Sequence, residues 1–159
     1  MTINTEQPLV SILVRTCQRP EILRRALDSI WEQTYSNIEV VIVEDGENAS
    51  EDFLRQQYQG KNYKYQATVE KIGRSAAGNR AMALATGEYL NFLDDDDMLF
   101  PGHVETLVSR LIEEPNLAAY SVAEERQLKA DSDNLTAYKI KRKTIRFNQP
   151  FNRLLLYTF

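Results

Sequence analysis

Four consecutive carboxylates, Asp94-Asp95-Asp96-Asp97, close a short apolar run, Tyr89-Leu90-Asn91-Phe92-Leu93. At ~5 Å and an effective dielectric of ~20, each pair of such charges repels by roughly 3 kcal/mol, and by far less when fully hydrated. Crowded carboxylate oxygens suit a hard divalent cation of the Mg2+ type, held by one or two carboxylates and completed by the oxygens of a phosphate ligand. The plainer reading is that acids solvate the loop and favour the N-terminus of a helix opening at Pro101. Two aspartates would suffice for that. Four favour a metal site, with Asp94-x-Asp96 as the ligands.

These aspartates need elements to position them. Leu9 to Val14 is continuous in apolar and β-branched residues, as a buried strand is. A polar loop, Arg15-Thr16-Cys17-Gln18-Arg19, follows, and Pro20 opens a helix with Leu23, Leu27 and Trp31 on one face beside Ile22, Ala26 and Ile30. Ile38 to Val43 is a second strand, ending in Glu44-Asp45-Gly46. Ser50, with Glu51 and Asp52 behind it, is an expected helix N-cap. Tyr63, Tyr65, Ala67 and Val69 alternate with polar residues, a half-exposed strand. Ser75 to Thr86 favours a helix, with Gly87 as its C-terminal stop. The run from Tyr89 is the fourth strand. After Pro101 a helix carries Val104, Leu107, Val108, Leu111 and Ile112, and Pro115 ends it.

Leu117 to Ala123 is a fifth strand candidate, Glu124 to Asn134 reads as loop, and Ala137 to Phe147 as an exposed basic strand. Asn148 to Phe159 reads as the first turns of a helix with no C-terminal cap, so the chain is expected to be a fragment. Alternating strands and helices imply an α/β fold, a mostly parallel sheet flanked by helices on both faces. In such sheets ligands bind beyond the carboxyl ends of the strands. Arg15-Thr16-Cys17, Glu44-Asp45 and Asp94 to Asp97 all fall at such ends.

Composition narrows the classes. The formal charge, 19 − 23 = −4, does not imply wholesale nucleic-acid binding, and no nucleic-acid partner is expected. One cysteine, Cys17, excludes an internal disulfide, and no early stretch has the length of a membrane span or the flanks of a signal peptide, so a cytoplasmic protein is expected. Neither G-x-G-x-x-G nor G-x-x-x-x-G-K-[ST] occurs, so a bound phosphate would rely on a metal. The acidic run lacks the glycine and glutamate offsets of an EF-hand. His103 falls on the polar side of its helix and reads as a surface residue. Cys17 has no histidine placed to activate it. Lys139, Lys141, Arg142, Lys143 and Arg146 read first as a charged, solvated edge strand, and second as a lid over a diphosphate or a contact for anionic lipid.

Taken in order, Val10 to Pro20, Ala26-Leu27-Asp28-Ser29-Ile30, Gln33-Thr34-Tyr35, Ile38 to Gly46, Ala76-Ala77-Gly78-Asn79-Arg80, Ala83 to Tyr89 and Phe92 to Asp97 resemble family 2 glycosyltransferases of the GT-A fold. The resemblance covers residues 9 to about 123. It implies a Rossmann-like nucleotide-sugar-binding sheet, and transfer of a sugar from a UDP-sugar to a glycan, lipid-linked or protein acceptor with inversion, as in polysaccharide biosynthesis. Peripheral membrane association is compatible with it. Carried over by position, Arg15, Thr16 and Cys17 lie against the nucleotide, Asp45 accepts a hydrogen bond from the base, and Arg74 helps hold the nucleotide. Asp94 and Asp95 sit by the ribose and metal, and Asp96 coordinates Mn2+ or Mg2+, with Asp94 as the second ligand.

Residues 1–123 would then be the donor-binding core and 124–159 a partial acceptor-side segment, within one domain. Two departures stand out. Cys17 replaces the aromatic residue that packs on the nucleobase. The catalytic base of the family lies downstream of the aspartates, and none of Glu124, Glu125, Asp131 or Asp133 has a supporting pattern, so no catalytic residue is assigned. The alternative is a truncated or inactive nucleotide-sugar-binding module without transfer activity. A phosphotransferase of the haloacid dehalogenase type is disfavoured, because Met98, Leu99 and Phe100 follow the aspartates where that class has Thr or Val.

Overall fold

The computed structural model describes residues 7–113 and, as backbone strands, Ala123–Gln127, Lys139–Lys143 and Leu155–Tyr157. In chain order the elements are β1 (Val10–Thr16), α1 (Pro20–Trp31), β2 (Ile38–Glu44), α2 (Glu51–Gln57), β3 (Tyr63–Ala67), α3 (Arg74–Leu84), β4 (Tyr89–Asp94), α4 (His103–Glu113), β5 (Ala123–Gln127), β6 (Lys139–Lys143) and β7 (Leu155–Tyr157). Five strands form one parallel sheet in the order β3-β2-β1-β4-β7.

The two most apolar runs become the centre of the sheet. All of β2 is buried, and all of β1 except Arg15. One face packs Val10, Ile12, Val14, Val40 and Ile42 against Leu23, Leu27 and Ile30 of α1 and Val104, Leu107 and Leu111 of α4. The other packs Leu13, Val41 and Val43 against Ala77 and Ala81 of α3. Helices therefore cover both faces, as alternation of strand and helix requires. Among the described residues no helix is long and apolar enough to cross a membrane.

Register is what matters for function. Thr16 pairs with Glu44 across β1 and β2, and Arg15 pairs with Asp94 across β1 and β4. The polar ends of three strands thus finish at one level. Between β1 and β4 the strand order also reverses direction, the place where open α/β sheets form a crevice.

Several sequence expectations change. The segment expected to be helical near the end contributes β7, paired in parallel with β4 from Leu90↔Leu155 to Phe92↔Tyr157. Pairing there satisfies the backbone groups on the outer edge of β4, a tertiary gain that overrides local helix preference. Part of the expected loop is β5, antiparallel to β6, which lies within the expected basic strand. Of the fifth strand candidate only Ala123 is described, and Pro115 lies outside the described residues.

Ser50 does precede α2, yet its hydroxyl makes no cap bond and is buried. Its N–H donates to the buried Glu44 carboxylate at 3.0 Å, and the first-turn N–H of Glu51 is met by Asn48 Oδ1 at 3.2 Å. His103 is buried rather than on the surface, with Nε2 3.0 Å from Asn91 Oδ1. Burial pushes its pKa down to about 4, so the imidazole is neutral at pH 7.

Gly87 is not a left-handed helix stop; α3 ends at Ala85 in an extended conformation. A Cβ on Gly87 would stand 2.5 Å from Ser11 Oγ and 2.8 Å from Leu9 O. Close approach is the reason for this glycine. Beside it, buried Glu39 accepts from Ser11 Oγ at 2.6 Å, Thr86 Oγ1 at 2.9 Å and Gly87 N at 3.2 Å, and pairs with Lys64 at 2.9 Å. Burial alone would raise its pKa; the bonds from Ser11, Lys64 and Thr86 outweigh it and hold the carboxyl at about 2.

Two outcomes follow. Gly87→Ala lowers stability in urea unfolding by roughly 1–3 kcal/mol, since the clash involves backbone as well as a side chain. For Glu39 the folded pKa lies below the ordinary 4.5, so its contribution is complete above that value and is lost as pH falls towards about 2. Glu39→Gln is less stable at pH 7 and has a flatter stability profile across that window, measured by urea unfolding at a series of pH values.

Candidate functional site

At the carboxyl ends of β1, β2 and β4 lies a cleft of about 210 Å3, lined by Arg15, Thr16, Cys17, Arg19, Asp45, Arg74, Ala77, Asp94 and Asp95. Seven of these are the residues singled out from sequence as contacts for a nucleotide: Arg15, Thr16, Cys17, Asp45, Arg74, Asp94 and Asp95. The structure brings all of them to one place.

The acidic run is divided by burial. Asp95 is 2% exposed, while Asp96 is 57% exposed. Asp95 Oδ2 accepts from Thr16 Oγ1 at 2.8 Å and from Arg19 Nε at 3.1 Å, and Asp95 Oδ1 pairs with Arg19 Nη2. Both oxygens of this buried carboxylate are therefore engaged, and a two-point guanidinium contact is among the stronger ways to compensate it. Asp94 Oδ1 pairs with Arg15 Nη2, and Asp94 Oδ2 with Arg74 Nη2 at 2.6 Å. Arg15 passes beside Gly78 of α3, where a Cβ would stand in ordinary contact, 3.4 Å from Arg15 Cδ. Its guanidinium lies 6.0 Å from the centroid of Phe92.

The turn after β4 is closed by Asp97 N donating to Asp94 O at 3.0 Å. Closure returns the fourth aspartate to the first. Asp94, Asp96 and Asp97 each offer an oxygen, and the three lie within 4.8 Å of one another. Partial burial of its carboxyl, then repulsion from Asp96 and Asp94, hold the Asp97 pKa above its ordinary value, against the attraction of Arg74. An all-oxygen set of this kind fits Mg2+ or Mn2+. Each carboxylate oxygen has more than one lone pair, and Arg74 is 73% exposed, so Asp94 can serve both arginine and cation.

Asp45 holds the far wall. Its Oδ1 accepts from Ile72 N at 2.7 Å and its Oδ2 from Gly73 N at 3.1 Å, fixing the loop that leads into α3 and Arg74. Glu44 fixes the near wall: Oε1 accepts from Gln18 N at 2.9 Å, while Oε2 accepts from Ala49 N, Ser50 N and the Tyr65 hydroxyl. Gln18 has φ +53°, a left-handed conformation that this bond helps to hold. Burial, then the bond and charge of Glu44, push the Tyr65 pKa well above its ordinary value, so the phenol stays a donor.

Two residues escaped sequence reasoning. Arg19 compensates Asp95; its signal was a cation three residues after Thr16, at the N-cap of the helix that Pro20 opens. Asp97 joins the metal group; its signal was the i to i+3 spacing from Asp94, which a turn brings together. Of the downstream acids, Glu124 and Glu125 fall in β5, and Asp131 and Asp133 lie outside the described residues.

Comparison with known proteins agrees with this architecture. The model of the family described as Glycosyl transferase family 2 matches residues 11–158. The chain is 30% identical over 121 residues to a putative glycosyltransferase, EpsH, of Bacillus subtilis, covering 76% of this chain and 35% of EpsH. It is 32% identical over 105 residues to the glycosyltransferase GlyA of Streptococcus pneumoniae, covering 65% of this chain and 15% of GlyA.

Among solved structures, residues 1–349 of Staphylococcus aureus TarS in complex with UDP superpose with a TM-score of 0.66 at 20% identity, over 72% of this chain and 36% of that one. The mannosyltransferase PcManGT of Pyrobaculum calidifontis, in complex with GDP-Man and Mn2+, gives 0.64 at 26% identity, over 76% and 37%. The fold is that of the GT-A glycosyltransferases. The chain spans 15% to 37% of the length of these four chains, the TarS one being its residues 1–349. On the family match over residues 11–158, this chain belongs to glycosyl transferase family 2.

Proposed function

We propose that the cleft binds a nucleotide-diphosphate sugar, a UDP-sugar in the first instance, as the donor half of a metal-dependent, inverting glycosyltransferase. The observation that carries this reading is the meeting of Arg15, Arg19 and Arg74 with the Asp94–Asp97 turn at the switch point of the sheet. Solved relatives in complex with UDP and with GDP-Man and Mn2+ support a nucleotide ligand.

In this reading Asp94, Asp96 and Asp97 hold Mn2+ or Mg2+. When bound, the cation neutralises the charge that gathers on the diphosphate as the glycosidic bond breaks. Arg74, exposed and tethered through Asp94, is free to turn towards the same oxygens. Asp94 and Asp95 lie on the ribose side, with Asp95 held in place by Thr16 and Arg19. Asp45 faces the base, and the loop Arg15-Thr16-Cys17 lies along the nucleotide. An interaction made more strongly with the departing diphosphate than with the intact donor raises the rate rather than the affinity alone.

Isothermal calorimetry with UDP and Mn2+ tests this. The chain binds UDP in the presence of Mn2+, and Asp96→Ala weakens Mn2+-dependent binding by at least ~10-fold, as loss of one charged ligand should. Absence of binding, or indifference to Asp96→Ala, contradicts it.

A second reading, a nucleotide-sugar-binding module without transfer, is favoured by one observation. Among the described residues of the cleft, each carboxylate is bonded to protein groups or belongs to the metal group, and none stands as a base for an acceptor. Radiolabelled UDP-sugar incubated with the chain and Mn2+ separates the two. Release of free sugar or its transfer supports the enzyme, and tight binding with no turnover supports the module.

A further inference from the structure

The segment that leaves the acidic turn is held by a helix outside the cleft. Ser29 and Gln33 lie one turn apart at the end of α1. Ser29 Oγ accepts from Leu99 N at 3.1 Å while donating to Ala26 O at 2.7 Å. The Gln33 amide is used at both atoms: Nε2 donates to Phe100 O at 2.8 Å and to Ser29 O at 3.1 Å, and Oε1 accepts from Val104 N at 3.1 Å. Thr34 N adds a bond to Pro101 O at 2.8 Å.

From the other side, Asp97 N is already tied to Asp94 O. Only Met98 separates that bond from the Leu99 N–H held by Ser29. The path of Asp96 and Asp97 is thus fixed between β4 and α1, over a sequence separation of some 70 residues. The buried pair of Asn91 and His103 closes the base of the same loop.

We propose that Gln33, with Ser29, is a positioning residue for the metal-holding turn: its amide sets where the Asp96 and Asp97 carboxylates stand relative to Asp94. The inference rests on the metal reading above and adds residues that touch neither metal nor nucleotide. The competing account is a tertiary contact that stabilises the fold and nothing else. Removing the Gln33 amide takes from Phe100 O its bond to the end of α1 while leaving that from His103 N at 2.9 Å, takes the side-chain acceptor from Val104 N, and loosens the hold on the loop between Asp97 and α4. Groups that orient metal ligands typically affect affinity by ~10- to 100-fold when removed.

The test is Mn2+ affinity of the 159-residue chain, read from the electron paramagnetic resonance signal of free Mn2+. Gln33→Met keeps the length of the side chain without its hydrogen bonds and weakens Mn2+ by ~10-fold. Gln33→Glu, which retains an acceptor for Val104 N but no donor for Phe100 O, falls between it and the unsubstituted chain. Gly87→Ala, which disturbs the opposite end of β4, controls for lost stability and leaves the Mn2+ affinity of the folded protein unchanged.

Unchanged affinity in Gln33→Met overturns the proposal, as does an equal loss in Gly87→Ala. If Gln33→Met does not fold, Gln33→Glu decides by the same criterion. Absence of Mn2+ binding in the unsubstituted chain overturns the metal reading itself, and this inference with it.

Discussion

Charge compensation at the end of β4 is the constraint on which the rest of this structure depends. Carboxylates so close in sequence repel, and those drawn out of water need partners. Asp95 is buried and satisfied by Thr16 and Arg19; Asp94 is half-buried and shared by Arg15 and Arg74. Those partners come from the end of β1, the start of α1 and the start of α3. A β1–β4 register shifted by one residue would no longer set Arg15 opposite Asp94 and would turn the side chains of β4 to the other face. The buried apolar strands are therefore what place the ions, and the ions in turn fix the loops. Once Asp95 is spent on protein groups, Asp94, Asp96 and Asp97 remain as the group that a cation would complete.

Three buried carboxylates do separate work along the sheet. Glu39 ties the α3–β4 connection to β1 at the lower end. Glu44 ties the β1 loop to the start of α2 and to β3 at the upper end. Asp95 ties α1 to the acidic turn. Each is bonded at both oxygens, as a buried charge must be to avoid an uncompensated desolvation cost. Only the third lies among residues with ligand chemistry. The other two hold the ends of the strands level.

Much of this was legible in the sequence because it rests on period and polarity. Continuous apolar runs marked β1 and β2, helical spacing marked α1 and α4, and polar clusters at strand ends marked Arg15, Thr16, Cys17, Asp45, Asp94 and Asp95 of the cleft, while Arg74 came from the family resemblance alone. What was not legible depends on contacts between distant segments. Gly87 looked like a helix stop because the Ser11 and Leu9 atoms that forbid a Cβ lie far back in the chain. His103 looked exposed because Asn91, its buried partner, belongs to another element. Leu155 to Tyr157 looked helical because nothing local reveals an open strand edge beside β4. Asp97 was passed over for a simpler reason: the Asp-x-Asp pattern ended one residue short of it.

The central claim is that the acidic turn holds a cation against a nucleotide diphosphate. The most direct test is a crystal of the chain grown with UDP and Mn2+, with data collected at the manganese absorption edge. The account predicts one anomalous peak within coordination distance of oxygens from Asp94, Asp96 and Asp97, with diphosphate oxygens on its open side. A nucleotide seated in the cleft with no manganese at those carboxylates, or manganese bound elsewhere, would contradict it.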